Sequence, residues 1–323
     1  MRRRDLIALF AAGLITRPAA AAAQLRPKAH VILWVSTEAQ PDPFIVGFRE
    51  GMHELGYVEG QNLAFVLRYA PGDPGAVKAM LPELLATPAD LVVSSGPAIQ
   101  AMRAATGRPV LFAISGDPVE LGLAESLARP GRNFTGSTFL SLEVAQKRVQ
   151  LLRELMPDLR SFAVLSNTTH PGERSEREAT EKAAALLGLR LAYVPFASDR
   201  DLDNALEHMR GTNTVAMLTF PDGVTMVHRV RIAAFAKANC LLSMFGWREY
   251  CEAGGLASYG ANQRATYTRL AGYADRLLRG EKPADLPIEQ PTKFEFVINT
   301  ATARALGLAI PPASLARADE VIE

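Results

Sequence analysis

Several short polar segments in this chain follow apolar runs and precede predicted helices. The sharpest is Ser-Ser-Gly-Pro at residues 94–97, directly after the apolar run 91–93. Hydroxyls, free backbone N–H groups and the positive end of a helix dipole can together hold a carboxylate without a basic side chain. An ordinary N-cap, in which a serine satisfies only its own helix, produces the same pattern. The segment therefore predicts either a carboxylate site or a simple helix cap.

A second polar segment, Ser-Gly-Asp-Pro at residues 115–118, follows the apolar run 110–113. Its carboxylate, Asp117, could accept a hydrogen bond from a ligand ammonium group. Asp117 could equally cap the turn before a helix that begins at Pro118. Both interpretations stay open at the level of sequence.

The residues that we predict to bind a ligand share a position at or near the carboxyl ends of predicted strands. Ligands of open parallel sheets bind beyond those ends. Aromatic residues at such places are individually more typical of core packing than of ligand contact. The predicted set is Ser36, Ser94, Ser95, Gly96, Ser115, Gly116, Asp117, Phe139, Asn167, Phe220, Asp222, Phe245 and Tyr259.

The sequence contains little that is typical of a catalytic or metal-binding site. The chain has no GxSxG, no P-loop and no GxGxxG after its first strand. Of the scattered histidines, His170 alone falls in a strand-end loop, and nothing indicates a nucleophile beside it. Cys240 and Cys251 form neither a CxxC motif nor a Cys/His cluster, and we expect two separate core thiols rather than a disulfide. We therefore predict no enzyme activity, no metal and no cofactor.

Strand-like and helix-like segments alternate along the chain, and this rhythm predicts parallel sheets covered by helices on both faces. It runs from residue 31 to about 127 and restarts with a long amphipathic helix at 141–156. We expect two doubly wound lobes joined near residues 133–140, where glycines and small polar residues suit a mobile crossing. The predicted boundaries are 24–137 plus 258–285 for the N-terminal lobe and 138–257 plus 286–323 for the C-terminal lobe.

The first 23 residues predict export. A basic start, an apolar stretch and the site Ala21-x-Ala23 are typical of a secretory signal peptide, and the paired arginines also fit the twin-arginine pattern. Removing this segment takes four arginines and one aspartate from 35 basic and 34 acidic residues and leaves 31 and 33. A nearly neutral chain has no electrostatic reason to bind nucleic acid. We expect a monomeric periplasmic protein that begins near Gln24.

Five further blocks carry a family resemblance. They are residues 56–62 (GYVEGQN), 116–119 (GDPV), 129–136 (RPGRNFTG), 252–260 (EAGGLASYG) and 290–295 (QPTKFE). With these blocks the chain resembles the ABC-transporter substrate-binding proteins, the family that includes the tryptophan-binding lipoproteins. The resemblance extends over essentially the whole mature chain.

The resemblance implies a type I periplasmic binding fold, with three crossings and a cleft that closes about a hinge. It also implies that Ser94, Ser95 and Gly96 grip a ligand carboxylate, with Gly116 and Asp117 facing them. The chain departs from the family pattern in two ways: it has no lipobox cysteine near the cleavage site, and it has Ser-Ser-Gly-Pro where many relatives have Gly-Thr-Pro. We therefore expect a free periplasmic protein and carry over no ligand identity.

The leading functional hypothesis is capture of a small carboxylate-bearing solute, an amino acid or a related compound, and its delivery to an ABC permease. The alternative is a periplasmic sensor that presents its closed form to a membrane signalling receptor. A third hypothesis, an exported hydrolase on the same fold, lacks a convincing nucleophile and base. The hinge hypothesis places flexible crossings near Gly136, Ala257 and Gln290.

Overall fold

The computed structural model describes residues 29–103, 107–139 and 142–323. The predicted signal peptide, residues 1–23, lies outside the described residues. The described chain forms two sheets, one of five strands and one of seven, and each sheet is packed with helices. This arrangement confirms the prediction of two doubly wound α/β lobes.

The first sheet is entirely parallel, with the strand order β2-β1-β3-β4-β5. Its central strands are buried along their whole length, as expected for a parallel sheet covered on both faces. The strands are β1 (His30–Ser36), β2 (Leu63–Tyr69), β3 (Leu91–Ser95), β4 (Val110–Ile114) and β5 (Phe134–Thr138).

The second sheet has the order β12-β11-β10-β9-β8-β6-β7. All of its neighbouring strands run parallel except β10 and β11, which are antiparallel. Its strands are β6 (Ser161–Asn167), β7 (Arg190–Phe196), β8 (Ala216–Thr219), β9 (Leu242–Phe245), β10 (Ala257–Ala261), β11 (Phe294–Asn299) and β12 (Glu320–Ile322).

Some helices begin at a residue whose side chain caps them. Asp42 caps α1, its carboxylate accepting the Phe44 N–H at 2.8 Å, and Asn262 caps α11 in the same way. The helices are α1 (Pro43–Glu54), α2 (Pro74–Ala79), α3 (Leu81–Ala86), α4 (Ala98–Met102), α5 (Leu142–Leu155), α6 (Glu173–Leu186), α7 (Asp199–Gly211), α8 (Gly223–Val227), α9 (Arg229–Ala238), α10 (Glu249–Glu252), α11 (Gln263–Leu278), α12 (Thr300–Ala305) and α13 (Pro312–Arg317).

Three predicted helices differ from the structure. The segment from Pro118 to Leu127 forms turns instead of a helix, with Gly122 in the left-handed region at φ 67°. From the sequence we also predict single helices over 76–86 and 224–238, but the first forms two short helices, α2 and α3, and the second is interrupted at His228. Helix α13 and strand β12 were not predicted, because the C-terminal segment is short and weakly patterned.

The chain crosses between the sheets after β5, after β10 and before β11. Strand β10 belongs to the second sheet up to Ala261, and α11 then packs on α1 of the first lobe, with Thr268 bonded to the Gly47 carbonyl at 3.1 Å. Glu289 still bridges to Ser137 of β5. Residues up to about 289 therefore pack with the first lobe, whereas the predicted boundary between the lobes is at residue 286. The domain boundaries as a whole stay a prediction.

Gly136 is not a flexible crossing, contrary to the prediction, because it lies inside the buried strand β5 and opposite Phe112 of β4. Ala257 likewise lies inside β10. A β-carbon on Gly136 would lie 2.0 Å from the Phe112 carbonyl oxygen, and the residue has φ 150°. Gln290, the third predicted crossing, does lie in the segment between the lobes.

Replacing Gly136 with alanine should therefore destabilise the first lobe strongly. Overpacking against backbone and an unfavourable φ each cost about 1–3 kcal/mol, so we expect a loss of roughly 3 kcal/mol or more. Urea unfolding measures this loss of stability. Gly272→Ala is the control, because a β-carbon on Gly272 meets no atom within 4 Å. Equal midpoints for the two variants would contradict the close approach of β4 and β5.

The core is continuous between the lobes. One buried cluster covers one face of each sheet and passes through Phe44, Tyr267 and Trp247, where the lobes meet. Two further clusters cover the opposite faces of the second and first sheets. Both cysteines carry free thiols, exposed at Cys240 and buried at Cys251. Within the described residues, no helix has the length and apolarity needed to cross a bilayer.

Candidate ligand-binding cavity between the lobes

A narrow cavity lies where the carboxyl ends of the strands of both sheets face each other. Its free volume is only about 10 Å³, far below the roughly 300–1,000 Å³ usual for small-molecule pockets. That is room for about one water molecule, so a solute can occupy this place only when the lobes stand farther apart. The lining residues are Glu38, Phe44, Ser95, Gly96, Ala113, Ile114, Ser115, Phe139, Asp222, Gly223, Trp247 and Tyr267.

The structure brings some of the predicted site residues together at this cavity and leaves others outside it. Those that line it are Ser95, Gly96, Ser115, Phe139 and Asp222. Ser36 and Asn167 lie one step behind the lining, where they bond to Ser95 and Asp222. The remaining ones are buried or engaged elsewhere and do not line it: Ser94, Gly116, Asp117, Phe220, Phe245 and Tyr259.

Asp117 caps a turn and does not line the cavity. Its Oδ1 accepts the N–H of Val119 at 2.7 Å and that of Glu120 at 3.4 Å. Phe220 and Phe245 are core residues, as aromatics at strand ends usually are. Tyr259 packs against Phe294 and Phe296 of β11, with ring centroids 6.1 and 6.5 Å away.

Asp222 is the polar centre of the second lobe's side of the cavity. It is 3 % exposed, and its Oδ2 accepts from Asn167 Nδ2 at 3.0 Å and from the Thr225 N–H at 3.1 Å, which also caps α8. Its Oδ1 has no hydrogen-bond partner among the described residues. A buried carboxylate oxygen without a donor is costly, so it marks a place where a ligand can supply one.

A buried polar network supports Asp222 from behind. His170 Nδ1 lies 3.9 Å from Asp222 Oδ1, and His170 Nε2 lies 2.9 Å from Glu176 Oε2. Burial lowers the pKa of His170, but the hydrogen bond to Glu176 and the charges of Glu176 and Asp222 outweigh burial and leave the pKa raised. Arg148 continues the network, 3.8 Å from Glu176 and bonded to the Tyr259 carbonyl at 2.8 Å. Hydrogen bonds and opposite charges thus hold these groups in place.

Glu38 faces the cavity from the first lobe and is 2 % exposed. Burial raises the pKa of Glu38 well above its ordinary value, and the nearby carboxylates of Asp42, Asp222 and Glu249 raise it further, while Arg229 lowers it. Glu38 is not among the residues predicted from the sequence, although it stands two residues after the end of β1 and so matches the strand-end pattern.

Aromatic rings form the remaining wall of the cavity. Phe44 stacks on Tyr267 with centroids 5.1 Å apart, and Trp247 meets Phe44 at 5.7 Å and Phe139 at 6.1 Å. Phe44 and Tyr267 come from helices α1 and α11, while Trp247 follows β9 of the second sheet. No local sequence signal places these residues at the cavity, because they reach it only through helix packing and the crossing of the chain.

The lobes touch each other directly around the cavity. Ser115 Oγ of the first lobe donates to the Pro221 carbonyl of the second lobe at 2.8 Å and lies 3.3 Å from His170 Nδ1. Gly172 and Gly223 make the close approach possible. A β-carbon at Gly172 would lie 1.8 Å from the Ser115 carbonyl oxygen, and one at Gly223 would lie 2.7 Å from Glu38 Oε1. The structure therefore shows the lobes closed on each other.

Several hydrogen-bond donors at the predicted carboxylate site are already used within the protein. The Gly96 N–H donates to the Ala113 carbonyl at 3.1 Å, and Ser95 Oγ donates to Ser36 Oγ at 3.3 Å. Helix α4, which follows them, has only five residues. The predicted carboxylate grip at this segment would need these donors to be released.

Larger depressions occur on the surface, but they are open grooves. One lies between α2, α3 and α4, and another lies beside α1 and the edge strand β2. The interlobe cavity differs from both because buried polar side chains, among them Glu38 and Asp222, line it. No cluster of His, Cys, Asp and Glu within the described residues could hold a metal ion.

The sequence pattern of one protein family, ABC transporter substrate binding protein, matches residues 28–322. The chain belongs to this family. Its fold is accordingly the type I periplasmic binding protein fold, and the family consists of solute-binding proteins rather than enzymes.

Individual relatives agree with this assignment. A conserved domain protein from Vibrio cholerae is 26 % identical with a TM-score of 0.85, and an ABC domain from Streptococcus pneumoniae in complex with L-Trp is 25 % identical with a TM-score of 0.84. Each comparison covers 91 % of this chain and 100 % of the other. A protein of Clostridioides difficile named tyrosine-binding protein is 24 % identical over 266 residues, 81 % of this chain and 76 % of that protein.

Proposed function

We propose that this protein captures a small amine-bearing solute of the amino-acid class in the interlobe cavity and delivers it to an ABC permease from the periplasm. The observation that carries the proposal is Asp222, which lines the cavity and whose buried Oδ1 accepts no hydrogen bond from the described residues. Family membership and the relatives named for L-Trp and tyrosine support a solute of this class.

Closure of the cleft is the proposed mechanism. A solute that contacts Glu38 of one lobe and Asp222 of the other binds the closed state better than the open one, so it shifts the population toward closure. Contacts such as Ser115 to Pro221 form only when the lobes meet. The permease then recognises the closed surface, and export through the predicted signal peptide places the protein where it can do so.

The proposal places the ligand ammonium at Asp222 and Glu38 instead of at Asp117. It leaves the predicted carboxylate contact at Ser94, Ser95 and Gly96 as a prediction. Native mass spectrometry of protein purified gently from the periplasm should find one solute that co-purifies. A solute-free protein that also fails to bind any amino acid or amine in calorimetry would contradict the proposal.

Replacing Asp222 with asparagine should weaken binding of the co-purified solute by about tenfold to a hundredfold, the usual worth of a hydrogen bond to a charged group. Asparagine still caps α8, so the fold should persist. Asp117→Asn is the matched control, and we expect it to retain nearly wild-type affinity. If calorimetry shows a loss at Asp117 and none at Asp222, the ammonium binds where the sequence alone predicted it.

A further inference from the structure

Trp247 is the largest side chain that lines the interlobe cavity, and it comes from the second lobe. It stands two residues after the carboxyl end of β9, and parallel sheets bind their ligands beyond such ends. The residue is 4 % exposed, so the indole ring is almost completely shielded from water. The cavity left beside the ring has room for about one water molecule.

The indole ring meets aromatic rings that belong to the first lobe. It packs edge to face on Phe44 of α1 and on Phe139, with ring centroids 5.7 and 6.1 Å away. Phe139 packs with the first lobe, because its N–H donates to the Ile114 carbonyl at the end of β4 at 2.6 Å. Trp247 therefore reaches across the gap between the lobes and occupies space that a solute held there would need.

The backbone on either side of Trp247 is held in place independently of the indole ring. Phe245 stacks on Tyr250 with ring centroids 4.5 Å apart, and a β-carbon on Gly246 would lie 2.7 Å from the Pro221 β-carbon. Both contacts lie within the second lobe. The turn between β9 and α10 therefore keeps its path when the ring is removed, and truncating Trp247 enlarges the space between the lobes.

We propose that Trp247 sets the size of the solute, so that the cleft accepts an amine-bearing solute with a small side chain and excludes one with a large side chain. The proposal rests on the proposed solute-binding function and specifies its ligand class. A solute bound at Asp222 shares the space between the lobes with the indole ring. A large side chain keeps the lobes farther apart than a small one does, so it forgoes contacts such as that of Ser115 with Pro221.

The opposite role for Trp247 is a platform on which a flat solute stacks, and aromatic rings in binding sites commonly act in this way. A platform favours a large aromatic side chain, so the two roles predict opposite effects of removing the ring. L-tyrosine and L-alanine separate them, because both carry the same ammonium and carboxylate groups. The ratio of their affinities for one protein also cancels the free energy of closing the solute-free lobes.

Calorimetry should show that the mature wild-type protein binds L-alanine more tightly than L-tyrosine. Trp247→Ala should raise the affinity for L-tyrosine relative to L-alanine by about tenfold to a hundredfold, the worth of burying one large apolar side chain. Trp247→Phe, with its smaller ring, should give an intermediate ratio. Tyr259→Ala is the control and should leave the ratio unchanged, because Tyr259 packs on Phe294 and Phe296 outside the cavity lining.

A wild-type protein that prefers L-tyrosine, or a ratio that stays the same or falls in Trp247→Ala, would overturn the size limit. Failure of both amino acids to bind either protein would also overturn it. Circular dichroism checks that each variant is folded, and Trp247→Phe decides the question if Trp247→Ala is unfolded. In each overturning case the proposed function still stands if the co-purified solute binds and closes the lobes, and it fails if no solute binds at all.

Discussion

Replacing Gly172 with alanine should lower solute affinity by about a hundredfold while each lobe stays folded. Gly172 belongs to the second lobe, and a β-carbon there would lie 1.8 Å from the Ser115 carbonyl oxygen of the first lobe. Backbone atoms cannot yield by that much, so the lobes must stop short of full closure. The backbone of Gly172, at φ −96° and ψ 4°, lies in the bridge region, which alanine can also adopt.

This substitution differs from an ordinary core defect because the clash lies between the two lobes and not inside either of them. The methyl group can be accommodated by opening the cleft, so unfolding measured by circular dichroism should remain near wild type. Calorimetry with the co-purified solute measures the loss, and Gly272→Ala, whose added methyl meets no atom within 4 Å, is the control. Wild-type affinity in Gly172→Ala would mean that binding does not require this interlobe contact.

Replacing Glu38 with glutamine should favour the closed form of the solute-free protein at pH 8 and have little effect at pH 5. Burial, aided by Asp42 and Asp222, raises the pKa of Glu38 well above its ordinary value in the closed form. Closure is therefore favoured below the pKa of the open form and opposed as the pH rises through the pKa of the closed form. Glutamine removes that opposition, and the closed-to-open ratio at pH 8 should rise about 5- to 150-fold.

A pair of fluorescent dyes, one on each lobe, measures this equilibrium. Leu85 of the first lobe and Leu186 of the second are exposed and can be replaced by cysteine for labelling, with the exposed Cys240 changed to serine. His170 is present in the wild-type protein and in Glu38→Gln, so its effect on the closed-to-open ratio cancels when the two are compared. Equal energy transfer in wild type and Glu38→Gln at pH 8 would show that Glu38 does not oppose closure.

Much of the fold was predictable because its signals are local. Apolar runs such as Val110 to Ala113 form buried strands, and caps such as Asp42 and Asn262 begin helices where the sequence places them. The turn from Pro118 to Leu127 was predicted as a helix because its apolar spacing resembles one. Its actual path depends on Asp117 capping the turn and on Gly122 in a left-handed conformation.

The candidate site was only partly predictable, for a related reason. Ser95, Ser115 and Asp222 reach the cavity because strand ends in each parallel sheet share an edge. Tyr267 reaches it only because α11 crosses back to pack on α1, and Trp247 because the loop after β9 extends toward the first lobe. Sequence spacing contains no information about either contact.

Small-angle X-ray scattering of the mature protein, with and without the co-purified solute, tests the central claim most directly. The claim is that a solute bound between Glu38 and Asp222 brings the two lobes together. We predict a smaller radius of gyration at saturation than in the solute-free protein, because the bound solute draws the two lobes toward each other. An unchanged radius at saturating solute would contradict the account.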